Sequence, residues 1–322
     1  SVDVLPEIRE YERTSTTVIN AYVGPIIKNY LDSLILRLKD SGVEAPVRIM
    51  QSNGGVMSAR NAADRPVRIV ESGPAAGVVA GHQLGLRVGL SNIITFDMGG
   101  TTAKASLIED GMPSWTTEHE VGAGISLSNR LVKGGGYAVK VPVMDLAEVG
   151  AGGGSIVWID RGGALKAGPE SAGAMPGPVC YDAGGQEPTV TDANVVLAYI
   201  NPRYLAGGAV ELKPELARAA LEERVARPLG LELLEAAHGV HTVANVTMIR
   251  AIRAVSTYRG RDPRDFTLLA FGGSGPIHAV GIARSLSIGR IIVPPAPGVF
   301  SAVGLLEAQP EYHFVRTFFG RL

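Results

Sequence analysis

The residues best suited to chemistry stand together at 97–102. Asp97 is followed by Gly99, Gly100, Thr101 and Thr102, inside the run IITFDMGGTTAKASLIEDG of residues 93–111. Glycines let the backbone approach a ligand and offer its N–H groups, and threonine hydroxyls add donors, so this tip suits an anion. A carboxylate alongside cannot bind phosphate directly, but it can hold Mg²⁺ or a water on the phosphate. The stretch alone reads equally well as an ordinary glycine-rich hairpin, because short glycine motifs have low specificity. Two elements must position these groups. The apolar run Ile93, Ile94, Thr95 and Phe96 reads as a buried strand that ends at Asp97, and residues 103–108 read as the returning strand, closed by Asp110 and Gly111.

A second glycine loop follows the apolar strand at 266–271. It reads Gly272, Gly273, Ser274, Gly275, Pro276 and leads into a helix over 277–286. Strand, glycine loop and helix in that order present N–H groups to a nucleotide. The loop lacks the Gly-Lys-Ser/Thr of a P-loop and the dinucleotide-binding spacing, so neither fold is indicated. A third glycine run, 150–155, lies between Asp145 and a strand at 156–159, and reads as another phosphate- or substrate-facing loop. The Gly- and Pro-rich residues 168–188, with Cys180 and Tyr181, are expected to form an ordered loop over a cleft. Asp192 reads as the cap of the helix that carries Val195, Val196, Leu197 and Ile200. QSNGG, from Gln51, follows a short strand at 47–50 and is either a hairpin turn or a loop facing a cleft.

The remaining elements are mostly scaffold. Ser15 and Thr16 are expected to cap a helix over 17–39, interrupted near Gly24 and Pro25, with Ile26, Ile27, Tyr30, Leu34 and Leu38 facing a core. Residues 67–70 lead to a small-residue helix at 75–84, started by Ser72 or Gly73 with Pro74 in its first turn. Residues 121–132 show no clear pattern, and 139–143 reads as a strand. A charged amphipathic helix spans 213–229. A long helix spans 231–258 and buries Val240, Val243, Val246, Ile249 and Ile252. His238 and His241 lie three apart on it, and with no further His or Cys nearby they read as surface or core residues.

With 322 residues, 46% hydrophobic and 19% charged, the chain can build one large or two ordinary domains. A net charge of -1 gives no electrostatic case for nucleic acid. The single cysteine excludes an internal disulfide and fits a reducing, cytoplasmic setting. No apolar run is long enough to span a bilayer. The chain starts at Ser1 and stops at an aromatic run with Phe318 and Phe319, which reads as a piece of a longer polypeptide.

Nine strings together resemble the hydantoinase A/5-oxoprolinase family of ATP-dependent cyclic-amide hydrolases. They are QSNGG at Gln51, ESGPAAGV at Glu71, FDMGGTTAKASLIEDG at Phe96, GAGGGS at Gly150, GPESAGAMPGPVCY at Gly168, PTVTDAN at Pro188, GRDPRDF at Gly260, FGGSGPIHA at Phe271 and VPPAPGVFSAVGLL at Val293. The resemblance implies an α/β, actin-like ATPase (ribonuclease H-like) lobe with a mixed sheet flanked by helices. It implies the end of a first lobe at 1–90 and a second lobe at 91–322, with the rest of the first lobe and a C-terminal region outside this chain.

The cofactors it implies are ATP and Mg²⁺. Asp97 would be the catalytic and metal-binding residue. Gly99, Gly100, Thr101 and Thr102 would hold phosphate, and Gly272, Gly273 and Ser274 the nucleotide. Phosphorylation of the amide oxygen would activate a hydantoin, N-methylhydantoin or 5-oxoproline ring toward water, and a hydantoinase B-type subunit would be the partner. Such an enzyme needs both lobes, so this chain alone is expected to be inactive. An acetone- or acetophenone-type carboxylase subunit and a non-catalytic nucleotide-binding module are the alternatives. One departure stands out. The family often continues the loop as GGTSTD, whereas this chain has Ala103 and Lys104, and a lysine favours phosphate over Mg²⁺.

Overall fold

A computed structural model describes residues 1–122, 136–203 and 205–314. Most of the patternless stretch 121–132, and Phe318 and Phe319, lie outside them. The chain forms two compact units. The first comprises residues 1–91, 108–146 and 301–322, and the second 92–107 and 147–300. The chain first passes from one unit to the other between Ser91 and Asn92. The segments 108–146 and 301–322 group with the N-terminal residues.

In the first unit, the helix Glu10–Asp40 is continuous and longer than expected. Thr16 lies inside it and not at its cap, because its hydroxyl donates to the Glu12 carbonyl one turn back, at 2.7 Å. Pro25 lies within the helix without ending it. The buried face runs through Leu31, with Ile27 and Leu34 packed beside Met57 and Ala62. Ile26 and Tyr30, expected in the core, are 68% and 60% exposed, since they sit one position off that stripe. The strands Arg48–Met50 and Val56–Ser58 pair antiparallel, so QSNGG forms a hairpin connection. The helix Ser72–Val88 begins where expected, with Pro74 in its first turn. It buries Ala75, Ala76 and Gly77, and Gly304 of the helix Phe300–Glu307 meets the Ala76 main chain so closely that no Cβ fits between them.

The second unit is built on a mixed sheet flanked by helices. Its path is Leu146–Val149, Ala103–Glu109, Ile93–Met98, Thr267–Phe271, Ile291–Ile292. Ile93–Met98 and Thr267–Phe271 pair in parallel, with Ile93 opposite Thr267 and Asp97 opposite Phe271. Strands buried on both faces need near-continuous apolar sequence, and Ile93, Ile94, Phe96, Leu268, Leu269 and Phe271 supply it. The four residues 99–102 are too few for a crossover, so Ala103–Glu109 returns beside Ile93–Met98 as a hairpin. From Phe271 the chain enters the helix Gly275–Leu286, which packs on both central strands before Ile291–Ile292 extends the parallel part. The long helix Leu233–Val255 packs against it in turn. Val246, expected inside, is 58% exposed, and Ala244, Asn245 and Met248 take the buried positions. The expected helix at 213–229 is divided, with Pro214–Leu221 followed by a π-helical turn at Glu222–Ala226.

Candidate functional site

The parallel register sets Asp97 and Phe271 side by side at the carboxyl ends of adjacent strands, so the loops that follow them emerge together. Strand carboxyl ends are where open α/β sheets bind ligands. The Ser274 amide donates to the Met98 carbonyl at 3.0 Å. Gly272, at φ 80°, lies so close to Asp97 that a Cβ there would strike Asp97 Oδ1 and the Met98 main chain. Gly99, Gly100 and Gly273 face open space. Gly99 closes the first tip by donating to the Thr102 carbonyl at 3.1 Å. The amides of Gly100, Thr101 and Gly273 donate to no described residue. The expected site residues of both loops therefore meet in one cradle whose free donors are main-chain N–H groups.

The glycine run at 150–155, expected to face phosphate or substrate, packs against the first tip. Gly152, Gly153 and Gly154 are buried and lie under the first tip. Gly153 donates to the Gly99 carbonyl at 3.0 Å and Gly154 to the Gly100 carbonyl at 2.7 Å. A Cβ at Gly152 would come within 2.5 Å of Gly100 and of the Thr101 amide, and one at Gly153 within 2.8 Å of the hydroxyls of Ser274 and Thr191. The run thus supports the 99–102 tip through its main chain. It is held in turn by Thr191, whose amide and hydroxyl reach the Gly153 carbonyl at 2.7 and 2.9 Å. Thr189 caps the helix Val190–Val196, and Asp192 completes the capping box from its third position. The Asp192 carboxylate also accepts from the Val179 and Cys180 amides, at 3.2 and 2.8 Å, which orders the Gly/Pro-rich loop. Asp192 is thus structural, and burial beside it pushes the Cys180 thiol up, out of the range of a reactive thiolate.

Asp97 is half-buried, and that desolvation raises its pKa; the nearby Lys104 ammonium pulls it back down. Lys104 does not point freely at a ligand. Its Nζ donates to Thr102 Oγ1 at 2.9 Å and pairs with Glu148 Oε1 at 2.8 Å. The sequence contrast at Lys104 is therefore met by an acid from the neighbouring strand. A magnesium–nucleotide fits the donor set of the cradle. Mg²⁺ characteristically takes one or two carboxylates together with phosphate oxygens and water, and Asp97 provides one. Among the described residues no group of three His, Cys, Asp or Glu forms a protein-only metal site.

Sequence reasoning missed a chain of buried polar side chains in the same unit. His241 Nδ1 donates to Asn194 Oδ1 at 2.8 Å, and Asn194 Nδ2 donates to His278 Nε2 at 3.2 Å. His278 Nδ1 then donates to Asn245 Oδ1 at 2.7 Å. The two imidazoles stack, with centroids 4.4 Å apart. Burial first, and the neighbouring His241 second, lower His278 to about 3. The bonding requires the same neutral state, because a protonated Nε2 would face the Asn194 amide donor. The chain ties the helix Val190–Val196, which holds the glycine run, to the helix Gly275–Leu286, which follows the second loop. The available signal was the polar pair Asn194 and His278 inside otherwise apolar helical stripes. His238, by contrast, is exposed.

Fold and site define an α/β unit with two glycine loops at its strand ends that leave main-chain N–H groups free. The chain belongs to the hydantoinase/oxoprolinase family, which it matches over residues 13–313. An uncharacterized protein of Methanocaldococcus jannaschii is 48% identical over 96% of this chain and 45% of its own length. Caprolactamase subunit alpha of Pseudomonas jessenii is 38% identical over 98% of this chain and 43% of its own. The nucleotide-free structure of an acetone carboxylase, described as ATP-dependent, superposes with a TM-score of 0.84 at 30% identity. That match covers 95% of this chain and 41% of the other. The chain spans less than half the length of these relatives. No helix among the described residues is long and apolar enough to cross a membrane.

Proposed function

We propose that the polypeptide carrying this chain is an ATP-dependent enzyme that opens a cyclic amide, a hydantoin, N-methylhydantoin or 5-oxoproline, in the cytoplasm with a hydantoinase B-type partner. The observation that carries this reading is the cradle itself, in which two strand-end loops present the free amides of Gly100, Thr101 and Gly273 beside one carboxylate. ATP would supply a phosphoryl group to the amide oxygen, giving an imidate-type phosphate whose carbon water attacks more readily, after which the ring C–N bond breaks and phosphate is released. The three amides hold phosphate oxygens, and the absence of side chains at Gly99, Gly100 and Gly273 permits close approach. Thr102 Oγ1 accepts from Lys104, so its own hydrogen is left to donate to phosphate. Lys104 adds positive charge, moderated by Glu148. Asp97 would hold Mg²⁺, whose charge would favour the ionised carboxylate against the burial that opposes it. Gly272 and Ser274 keep the second loop pressed against the first.

The likeness to acetone carboxylase supports a second reading, a ketone carboxylase subunit using the same cradle. The deciding experiment measures ADP release by the full-length polypeptide with its partner. Turnover that requires hydantoin or 5-oxoproline supports ring opening. Turnover that requires acetone plus bicarbonate replaces it with carboxylation, and nucleotide binding without turnover on either would make the protein a regulatory module. Asp97→Asn is expected to abolish the substrate-dependent release, and retained turnover would remove Asp97 from the mechanism.

A further inference from the structure

The first unit contains a pair of arginines that the proposed chemistry does not use. The sequence there, Arg65-Pro-Val-Arg68, forms a 3₁₀ turn over Pro66–Ile69, preceded by Arg65. Arg65 precedes the turn and Arg68 lies within it, and both side chains reach the same two cavities. Three features fix the turn. Pro66 and Val67 are buried beneath it, and the Arg68 carbonyl accepts from the Ser52 amide at 2.8 Å. The Val67 amide also donates to Asn20 Oδ1 at 3.2 Å. The two cations are thus held together by a rigid backbone.

Both arginines line a cavity of about 340 Å³, with Leu5, Val141, Pro142 and Phe314 on its apolar side and Thr117 among its polar groups. They also line an adjoining cavity of about 260 Å³, which His313 and Phe314 share. Of the four acids that line these cavities, two are engaged elsewhere. Glu7 pairs with Lys140, and Glu311 pairs with His313 at 2.9 Å. Asp3 lines the first cavity and Asp64 the adjoining one, and neither forms an ion pair to either arginine. Neither Arg65 nor Arg68 forms an ion pair with a described residue. The arrangement is costly as it stands, for burial and the adjacent Arg65 both weaken the hold of Arg68 on its proton. An anion between the guanidinium groups would offset both effects.

We propose that Arg65 and Arg68 form a binding site for a small organic carboxylate, the carboxylate seated on the two guanidinium groups and an apolar body against Leu5, Val141 and Phe314. A guanidinium fork matches a planar carboxylate through paired hydrogen bonds. The apolar wall selects a ligand with a hydrocarbon part over a bare inorganic anion. This inference is independent of the nucleotide cradle and stands whatever that cradle turns over.

Calorimetry on the 322-residue chain in low-salt buffer at pH 7 tests it, with isovalerate, acetate and inorganic phosphate as probes. Isovalerate is expected to bind at one site, at least tenfold more tightly than acetate. Arg65→Ala and Arg68→Ala should each weaken it by at least tenfold, while Arg60→Ala, an exposed arginine outside both cavities, should leave it unchanged. Thermal melts establish that each variant is folded; Arg65 is exposed, so Arg65→Ala remains informative if Arg68→Ala unfolds. Absence of isovalerate binding, binding indifferent to Arg65→Ala, or tighter binding of phosphate than of isovalerate would each overturn the proposal.

Discussion

Gly99, Gly100, Gly152 and Gly272 build the cradle from main chain, whereas Asn194, His241, Asn245 and His278 link helices of the same unit through side chains. In the cradle, contact depends on atoms that are missing, since a Cβ at Gly152 or Gly272 collides with backbone. In the imidazole–amide chain, contact depends on polar atoms that are present and must all be satisfied, because each is buried away from water. A main-chain site can leave donors free for a ligand. A buried side-chain network cannot leave any free without penalty, so it suits holding elements together and not binding.

The largest effect is expected from His278→Ala. It opens a cavity and strands Asn194 and Asn245 at once, and should destabilise the chain by about 3–4 kcal/mol in urea unfolding. A loss below about 1 kcal/mol would mean that the network is not a structural tie. Next comes Gly152→Ala. The added methyl meets Gly100 and Thr101 backbone atoms at 2.5 Å, which have no rotamer with which to escape, so a cost of about 2–3 kcal/mol is expected. Equal stability of this variant and the parent would break the distinction between support and ligand-facing glycines.

The pH dependence sharpens the contrast further. His278, at about 3 in the folded chain, stays neutral while its unfolded counterpart takes a proton below its ordinary 6.5. The unfolded state then binds more protons, so this stability is complete above pH 6.5 and is lost as pH falls toward 3. The slope is about 1.4 kcal/mol per pH unit in that window. Urea midpoints between pH 7 and pH 5 should fall accordingly, and the slope should shrink in His278→Asn. The smallest effect is expected from Gly273→Ala. Nothing lies within 4 Å of the added Cβ, so stability should change by no more than about 0.5 kcal/mol, while nucleotide affinity measured by calorimetry falls. Unchanged affinity would take Gly273 out of the cradle.

The strands carrying Asp97 and Phe271 were legible because a buried strand is a local apolar run, and the loops because glycine marks departures from it. Their meeting in one cradle was reached through resemblance; the parallel register that sets Asp97 opposite Phe271 joins residues far apart in sequence. The same distance concealed the supporting role of Gly153 and the Glu148 partner of Lys104. The bond from His278 to Asn194 spans 84 residues, and no periodicity reports such a pair. At the first helix, Ser15 and Thr16 offered a plausible cap, yet threonine also bonds one turn back inside a helix, as Thr16 does. Ile26 and Tyr30 misled because an apolar residue on an exposed face looks no different in sequence from one on the buried face.

The division of cradle amides into bonded and free has a consequence for hydrogen exchange. Gly99, Gly153, Gly154 and Ser274 spend their N–H groups on neighbouring carbonyls, while Gly100, Thr101 and Gly273 do not. Deuterium should therefore enter the second set quickly and the first slowly, although the two alternate along the same loops. An anion seated in the cradle would slow exchange at three amides spread over more than 170 residues of sequence and leave their bonded neighbours little changed. The loops thus contain their own reference clock, against which occupancy can be timed without substrate turnover.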